Sequence, residues 1–385
     1  MYFERSMALG QSFSALASGH EEVHVRLYAI STAVLAPLVG NNIFSVELSS
    51  LFVFLLTLFL VYQIGTICFE RRTGFVAAAM VGLLPSFLFH QTQTLRDPLF
   101  VVLMLALLWI VLRLITKSLT AKPVLAYAAT GLLTLSLVWL VRDNFWLVYV
   151  GIVALGLLAW IAGAIKDKRV SLPNLACLLF LLVALIFLPQ LLSSWSPPKH
   201  AWGPAKQQAL NEFTTQQAQS GLSGVLLKIS ATRQKFVIQY KSAGSNIDVG
   251  RTFPSSSAFF AYLPRAVVIG LFAPFPTSWF EQGGTLGPTG RVLAAFETCF
   301  IYLLTPFALA GLWRSRRSVQ VWFLLAVILL GAAALGLVVV NVGALYRMRY
   351  VFWIVFIILA ASYLQRWLNL HRLIRFNRLS TQQSA

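Results

Sequence analysis

Long apolar runs, cut by short polar breaks, dominate the chain. Nine are long enough to cross about 30 Å of hydrocarbon: roughly residues 47–69, 74–92, 98–115, 123–141, 145–165, 172–192, 291–312, 319–341 and 350–367. The runs are continuous rather than alternating, so they predict helices and not the strands of a barrel. The expected fold class is an all-α polytopic membrane protein of about nine transmembrane helices, with interfacial or re-entrant helices and one large extracytoplasmic loop.

Two apolar stretches break the pattern. Residues 27–40 are too short to span and contain Pro37, so they are expected at the outer interface. Residues 262–280 carry Pro264, Pro274 and Pro276 and are expected as a re-entrant or interface-lying hairpin. Irregular backbone at that depth is tolerated only where protein or water satisfies its polar groups. The organisation that follows has five parts. Residues 1–46 form extracytoplasmic interfacial helices, and 47–192 a bundle of six spans. Residues 193–290 form an extracytoplasmic loop with an amphipathic helix and the re-entrant hairpin. Residues 291–368 add three spans, and 369–385 are a basic cytoplasmic tail.

Composition agrees with this class. The chain has 385 residues, 58% hydrophobic and 11% charged, against about 25% charged in soluble domains. Its net charge of +18 does not point to nucleic acid, because the basic residues form short clusters between apolar runs. "ERR" at 70–72, Lys117 with Lys122, "KDKR" at 166–169, "RSRR" at 314–317 and the tail with Arg366, Arg372, Arg375 and Arg378 all fall on one side if the nine runs alternate. Positive loops face the cytoplasm. Cys68, Cys177 and Cys299 lie in or beside apolar runs and lack metal-ligand spacing.

The outer side then holds "LRDP" around Arg96 and Asp97, "VRDN" around Arg142 and Asp143, "YRMR" with Arg347 and Arg349, and the acids Glu4, Glu21 and Glu22. Ionisable groups at membrane depth are costly and tend to face a polar cavity or mark a site. Guanidinium groups suit phosphate oxygens, and a carboxylate suits general-base work or metal coordination. Asp97, Glu4 and Asp143 are therefore the candidate catalytic groups, and Arg96, Arg142, Arg347 and Arg349 the candidate substrate ligands. No cofactor is demanded; a divalent metal stays open. Simple alternatives exist for each: snorkelling of the arginines to the headgroups, and capping of the following helices by Asp97 and Asp143. Gly343 would allow "GALYRMR" to leave the helix, so that Arg347 and Arg349 share a face. In the outer loop, residues 221–241 read as an amphipathic helix with Lys228, Arg233, Lys235 and Lys241 on its polar side. Such a helix suits an anionic lipid surface or the packing of a lid.

The order "YFERSMALGQ", "HVRLYAISTAVLAPLVG", "CFERRTG" and "PSFLFHQTQTLRDPLF" resembles the membrane glycosyltransferases of the C-type fold, which include protein O-mannosyltransferases and transferases of aminoarabinose to lipid A. The resemblance covers residues 1–115 best; "APFP" at 273–276 and "NVGALYRMR" at 341–349 match in style. It implies a polyprenyl-phosphate-linked sugar donor, an envelope acceptor, contact with membrane lipids, and a bacterial inner-membrane location with the active face outward. Asp97 matches the acid of the family's second outer loop. The family's first outer loop has an acid just before the tyrosine-bearing helix, a position absent before Tyr2 here. An additional first span preceding Met1 is therefore expected, and Glu4 is the nearest carboxylate that remains. The competing functions are a cell-envelope polysaccharide polymerase or ligase and, lower in rank, a transporter of a lipid-linked substrate.

Overall fold

In the computed structural model, the described residues are 23–40, 43–91, 96–168, 170–193, 203–219, 222–241, 243–279 and 287–383. Among them the chain is all-helical. Eight helices are long and apolar enough to cross a membrane, and a bent pair makes a ninth if counted as one span. The protein is an integral membrane protein of the polytopic helical class.

The helices follow in order: α1 Val23–Val39, α2 Ile43–Cys68, α3 Arg71–Gly82, α4 Pro85–Gln91, α5 Arg96–Thr116, α6 Ala121–Val141, α7 Trp146–Asp167 and α8 Leu172–Leu192. Then come α9 Pro204–Gln219, α10 Gly224–Gln239, α11 Ser256–Phe272, α12 Gly287–Arg314, α13 Val319–Val338, α14 Val342–Met348 and α15 Tyr350–Gln383. Helices α5 and the first half of α15 form the centre. From Tyr350 to Ala361 almost every side chain of α15 is buried, as expected for a span enclosed by protein on all sides.

The run expected as one span over 74–92 is broken. Helices α3 and α4 meet at 76°. Gly82 ends the first, and Pro85 opens the second. Proline lacks the amide that would continue the ladder and pushes the residue before it out of the helical region. The other helix boundaries follow the apolar runs to within a few residues, except that α15 continues past the run expected to end at 367 and stays helical to Gln383.

Three of the loops grouped by their charge, those around Lys117, Lys166 and Arg317, lie together at one end of the bundle. Lys166 Nζ donates to Arg317 O (2.5 Å). Asn174 Nδ2 donates to Leu114 O (2.7 Å) and Lys117 O (2.5 Å), tying the start of α8 to the end of α5.

Helix α11 lies antiparallel against α13, and glycine makes the approach feasible. A Cβ at Gly336 would collide with the Ala266 carbonyl, and one at Gly270 with the backbone of Ala332. Three successive carbonyls where α11 ends, those of Leu271, Phe272 and Ala273, find side-chain donors from neighbouring helices. Trp353 Nε1 donates to Leu271 O (2.9 Å), Tyr302 Oη to Phe272 O (2.8 Å), and the Arg349 guanidinium to Ala273 O. A helix end leaves its last carbonyls without intrahelical partners, and in an apolar surrounding each would be costly.

The end of α13 is closed in the same manner. Arg233 was expected on the polar face of α10, yet it is buried. Its guanidinium donates to Leu337 O (2.9 Å), Gly336 O (3.4 Å) and Asp248 O (2.7 Å). The orphan carbonyls of α13 draw in a side chain that helical periodicity alone assigns to solvent. Helix α10 is thus a packed helix over the end of α13, with Lys228 still exposed.

A candidate site at the ends of α5, α6 and α14

Asp97 sits in the first turn of α5 and is only 5% exposed. Its Oδ1 accepts from the Arg142 guanidinium, which ends α6 and is 7% exposed. The Arg142 guanidinium also lies 5.1 Å from the Phe100 ring centroid and 5.9 Å from that of Phe145. Tyr149 donates to Arg142 O (2.7 Å) and fixes the backbone there. Arg142 is therefore held by a carboxylate, by two aromatic rings and through its own carbonyl, while its Nε is buried without a hydrogen-bond acceptor among the described residues.

The second oxygen of Asp97 faces Arg347 of α14, with Nη1 at 3.7 Å. The Arg347 side chain is 40% exposed. Arg96, beside Asp97 at the start of α5, is exposed and adds to the positive field on that carboxylate. Three of the four predicted arginines thus surround one buried acid, brought there from three helices. Two of them keep guanidinium surface open to a ligand.

Arg349 goes elsewhere. Residues 342–348 stay helical, and Arg349 itself has helical backbone angles. The expectation that this stretch unwinds is overturned for 342–348: Asn341, itself extended, caps the helix by accepting from Ala344 N (3.0 Å), and the extended backbone stops ahead of Val342. Two residues apart on a helix point about 200° from each other. Arg347 faces Asp97, while Arg349 is fully buried and stacks on Trp353 (3.7 Å to the ring centroid) and Tyr346 (4.5 Å). It packs the end of α11 rather than joining the other three.

Asp143 opens the short 3₁₀ turn Asp143–Phe145 and is half-buried; the cap position ahead of that turn belongs to Arg142. Glu4, with Glu21 and Glu22, lies outside the described residues. Among the described residues no group of three or more His, Cys, Asp or Glu is placed to hold a metal ion.

Sequence reasoning missed Glu297. It is fully buried in α12. Its carboxylate accepts from Ser86 N (2.6 Å), one residue past the α3–α4 break, and from the Tyr346 hydroxyl. Tyr346 is the neighbour of Arg347, so Glu297 fastens the bend to the helix that carries the site. The signal was present: a single acid inside the apolar run 291–312.

The fold and the buried charges define a polytopic helical membrane protein with an arginine-rich site at one end of its bundle. No known family profile matches the sequence, and no curated protein matches it. Among solved structures, the chain is similar to ArnT from Cupriavidus metallidurans in the apo state, with TM-score 0.35, 12% identity, and coverage of 94% of this chain and 72% of that one. It is similar to the same protein bound to undecaprenyl phosphate, with TM-score 0.34, 12% identity and the same coverage.

Proposed function

We propose that this protein is a membrane glycosyltransferase that moves a sugar from a polyprenyl-phosphate donor to an envelope acceptor, on the extracytoplasmic face of a bacterial inner membrane. The supporting observation is the group around Asp97: three arginines on one buried carboxylate, with Arg347 and Arg96 still open. A phosphate leaving group needs positive charge placed in advance, and guanidinium groups supply it with directional hydrogen bonds. The arrangement also reassigns Asp97 within that reading. Both oxygens of Asp97 face guanidinium groups, one bonded to Arg142 and the other 3.7 Å from Arg347, so in this reading Asp97 orients Arg142 and Arg347 instead of deprotonating the acceptor. The base would then come from Asp143 or from a carboxylate of residues 1–22.

The test is binding of a polyprenyl phosphate to the purified protein, followed by transfer from a polyprenyl-phosphate sugar. Charge-assisted hydrogen bonds contribute roughly 1.5–3 kcal/mol. Arg347→Ala is expected to weaken donor binding by about tenfold or more, with helix content unchanged. Equal donor affinity in parent and variant would reject the phosphate role of this site.

A further inference from the structure

Away from Asp97, at the outer end of α13, the structure forms an open hollow of about 400 Å³ lined by Asp248, Gly250, Arg251, Ala261, Tyr262 and Arg265. Asp248 is saturated within it. Its Oδ2 accepts from Tyr262 Oη (2.8 Å) and Arg265 Nε (2.5 Å), and its Oδ1 from Arg265 Nη2 (2.8 Å). Arg251 is exposed, rests 5.8 Å over the Tyr262 ring, and pairs with no carboxylate among the described residues. The hollow therefore holds two guanidinium groups and one acid whose oxygens are already taken. What it lacks is an acceptor of hydrogen bonds with negative charge.

The depth of the hollow follows from the packing of α11 on α13. Ala266, next to Arg265, meets Gly336 in the last turn of α13; Gly270 meets Ala332 one turn deeper. Helix α13 is a membrane span ending at Val338. Arg265 thus stands level with the end of a span, where headgroups lie. On the same exposed face of α11, Val268 is 44% exposed and points one turn further into the hydrocarbon. A cationic hollow at headgroup level, above an exposed apolar helix face, matches one ligand chemistry: a phosphodiester with acyl chains.

We propose that the hollow between Arg251 and Arg265 binds the phosphate headgroup of an anionic phospholipid, whose chain runs along the outer face of α11 past Val268. The site is independent of sugar transfer. It fastens α11 and the segment around Asp248 to the leaflet.

The test uses the full chain in nanodiscs of equal parts phosphatidylcholine and phosphatidylglycerol, with the lipid retained on release read by native mass spectrometry. The parent retains phosphatidylglycerol in preference. Arg251→Ala lowers that preference about fivefold, the factor expected for one cation at a membrane surface, and its melting midpoint in pure phosphatidylcholine is unchanged because the Arg251 side chain has no acceptor to lose among the described residues. Lys228→Ala, which removes an exposed cation outside the hollow, leaves the preference intact. The proposal fails if Arg251→Ala retains the parent's preference, or if Lys228→Ala lowers it as much. It fails too if millimolar inorganic phosphate displaces the lipid, which would mark a site for free anions.

Discussion

Arg142 donates to Asp97 across 45 positions of sequence, and the pair is buried where α6 ends and α5 begins. This makes Asp97 a fastening between two spans before it is anything else. Removing one partner of a buried pair leaves an uncompensated charge and costs about 3–5 kcal/mol. Asp97→Asn is therefore expected to lower the melting midpoint and the yield of folded protein. Asp97→Asn combined with Arg142→Gln is expected to lie closer to the parent than either single change, because neither charge is then stranded. Thermal melts of the four proteins in one detergent decide it. A single Asp97→Asn variant as stable as the parent would show that the pair contributes nothing.

Glu297 gives a second contrast within one residue. Glu297→Gln keeps an oxygen for Ser86 N, and the Tyr346 hydroxyl can turn to accept from the new amide. Glu297→Ala leaves the Ser86 amide and the Tyr346 hydroxyl buried without it, at about 1–3 kcal/mol for each such group. The alanine variant is expected to melt well below the parent and the glutamine variant close to it. Hydrogen exchange should show the loss first at residues 85–91, since α4 is held at its start by this carboxylate. Equal melting of the two variants would rule out the hydrogen-bonding role.

The α11–α13 contact sets a steric prediction. Gly336 touches Ala266 backbone and Gly270 touches Ala332 backbone, so neither neighbour can swing aside as a flexible side chain would. Gly336→Val is expected to force the helices apart and to cost at least the 1–3 kcal/mol typical of overpacking. Trypsin cleavage at Arg251 and Arg265 should become faster in the variant. Gly163→Ala is the control: a Cβ there meets nothing within 4 Å.

The fold was legible in the sequence because membrane spans are written as run length, and run length is local. The charged positions of the site were legible for a related reason: Arg96, Asp97, Arg142 and Arg347 interrupt apolar runs where a charge is expensive. Their pairing was not legible. Nothing in "LRDP" and "VRDN" says that Arg142 reaches Asp97, since that depends on how α5 and α6 lean together. Arg233 and Arg349 were misplaced for one shared reason. Each closes the carbonyl end of another helix, and periodicity along a residue's own helix carries no information about orphan carbonyls elsewhere. The break at residues 83–84 could have been read from Gly82 and Pro85, but the apolar run across it hid the turn.

Arg347 and Arg349 are two residues apart, and the structure sends them to opposite tasks. Arg347 lies 3.7 Å from Asp97 with its side chain 40% exposed. Arg349 is fully buried, donates to Ala273 O and stacks on Trp353. Lysine separates the two roles, because it keeps the charge but lacks the planar fork and the stacking face. Arg349→Lys should lower the melting midpoint, since a compact ammonium leaves the Trp353 and Tyr346 faces and the Ala273 carbonyl imperfectly matched in a buried site. Arg347→Lys should melt like the parent, because half-exposed charge contributes little to stability. Donor binding should show the opposite order: weakened in Arg347→Lys through loss of the bidentate geometry, and in Arg349→Lys only to the extent that the fold is lost. Melting curves and polyprenyl-phosphate titrations on the same preparations provide both readouts. If Arg349→Lys is as stable as the parent while its donor affinity falls, Arg349 belongs to the ligand site after all, and the division drawn between these two arginines is wrong.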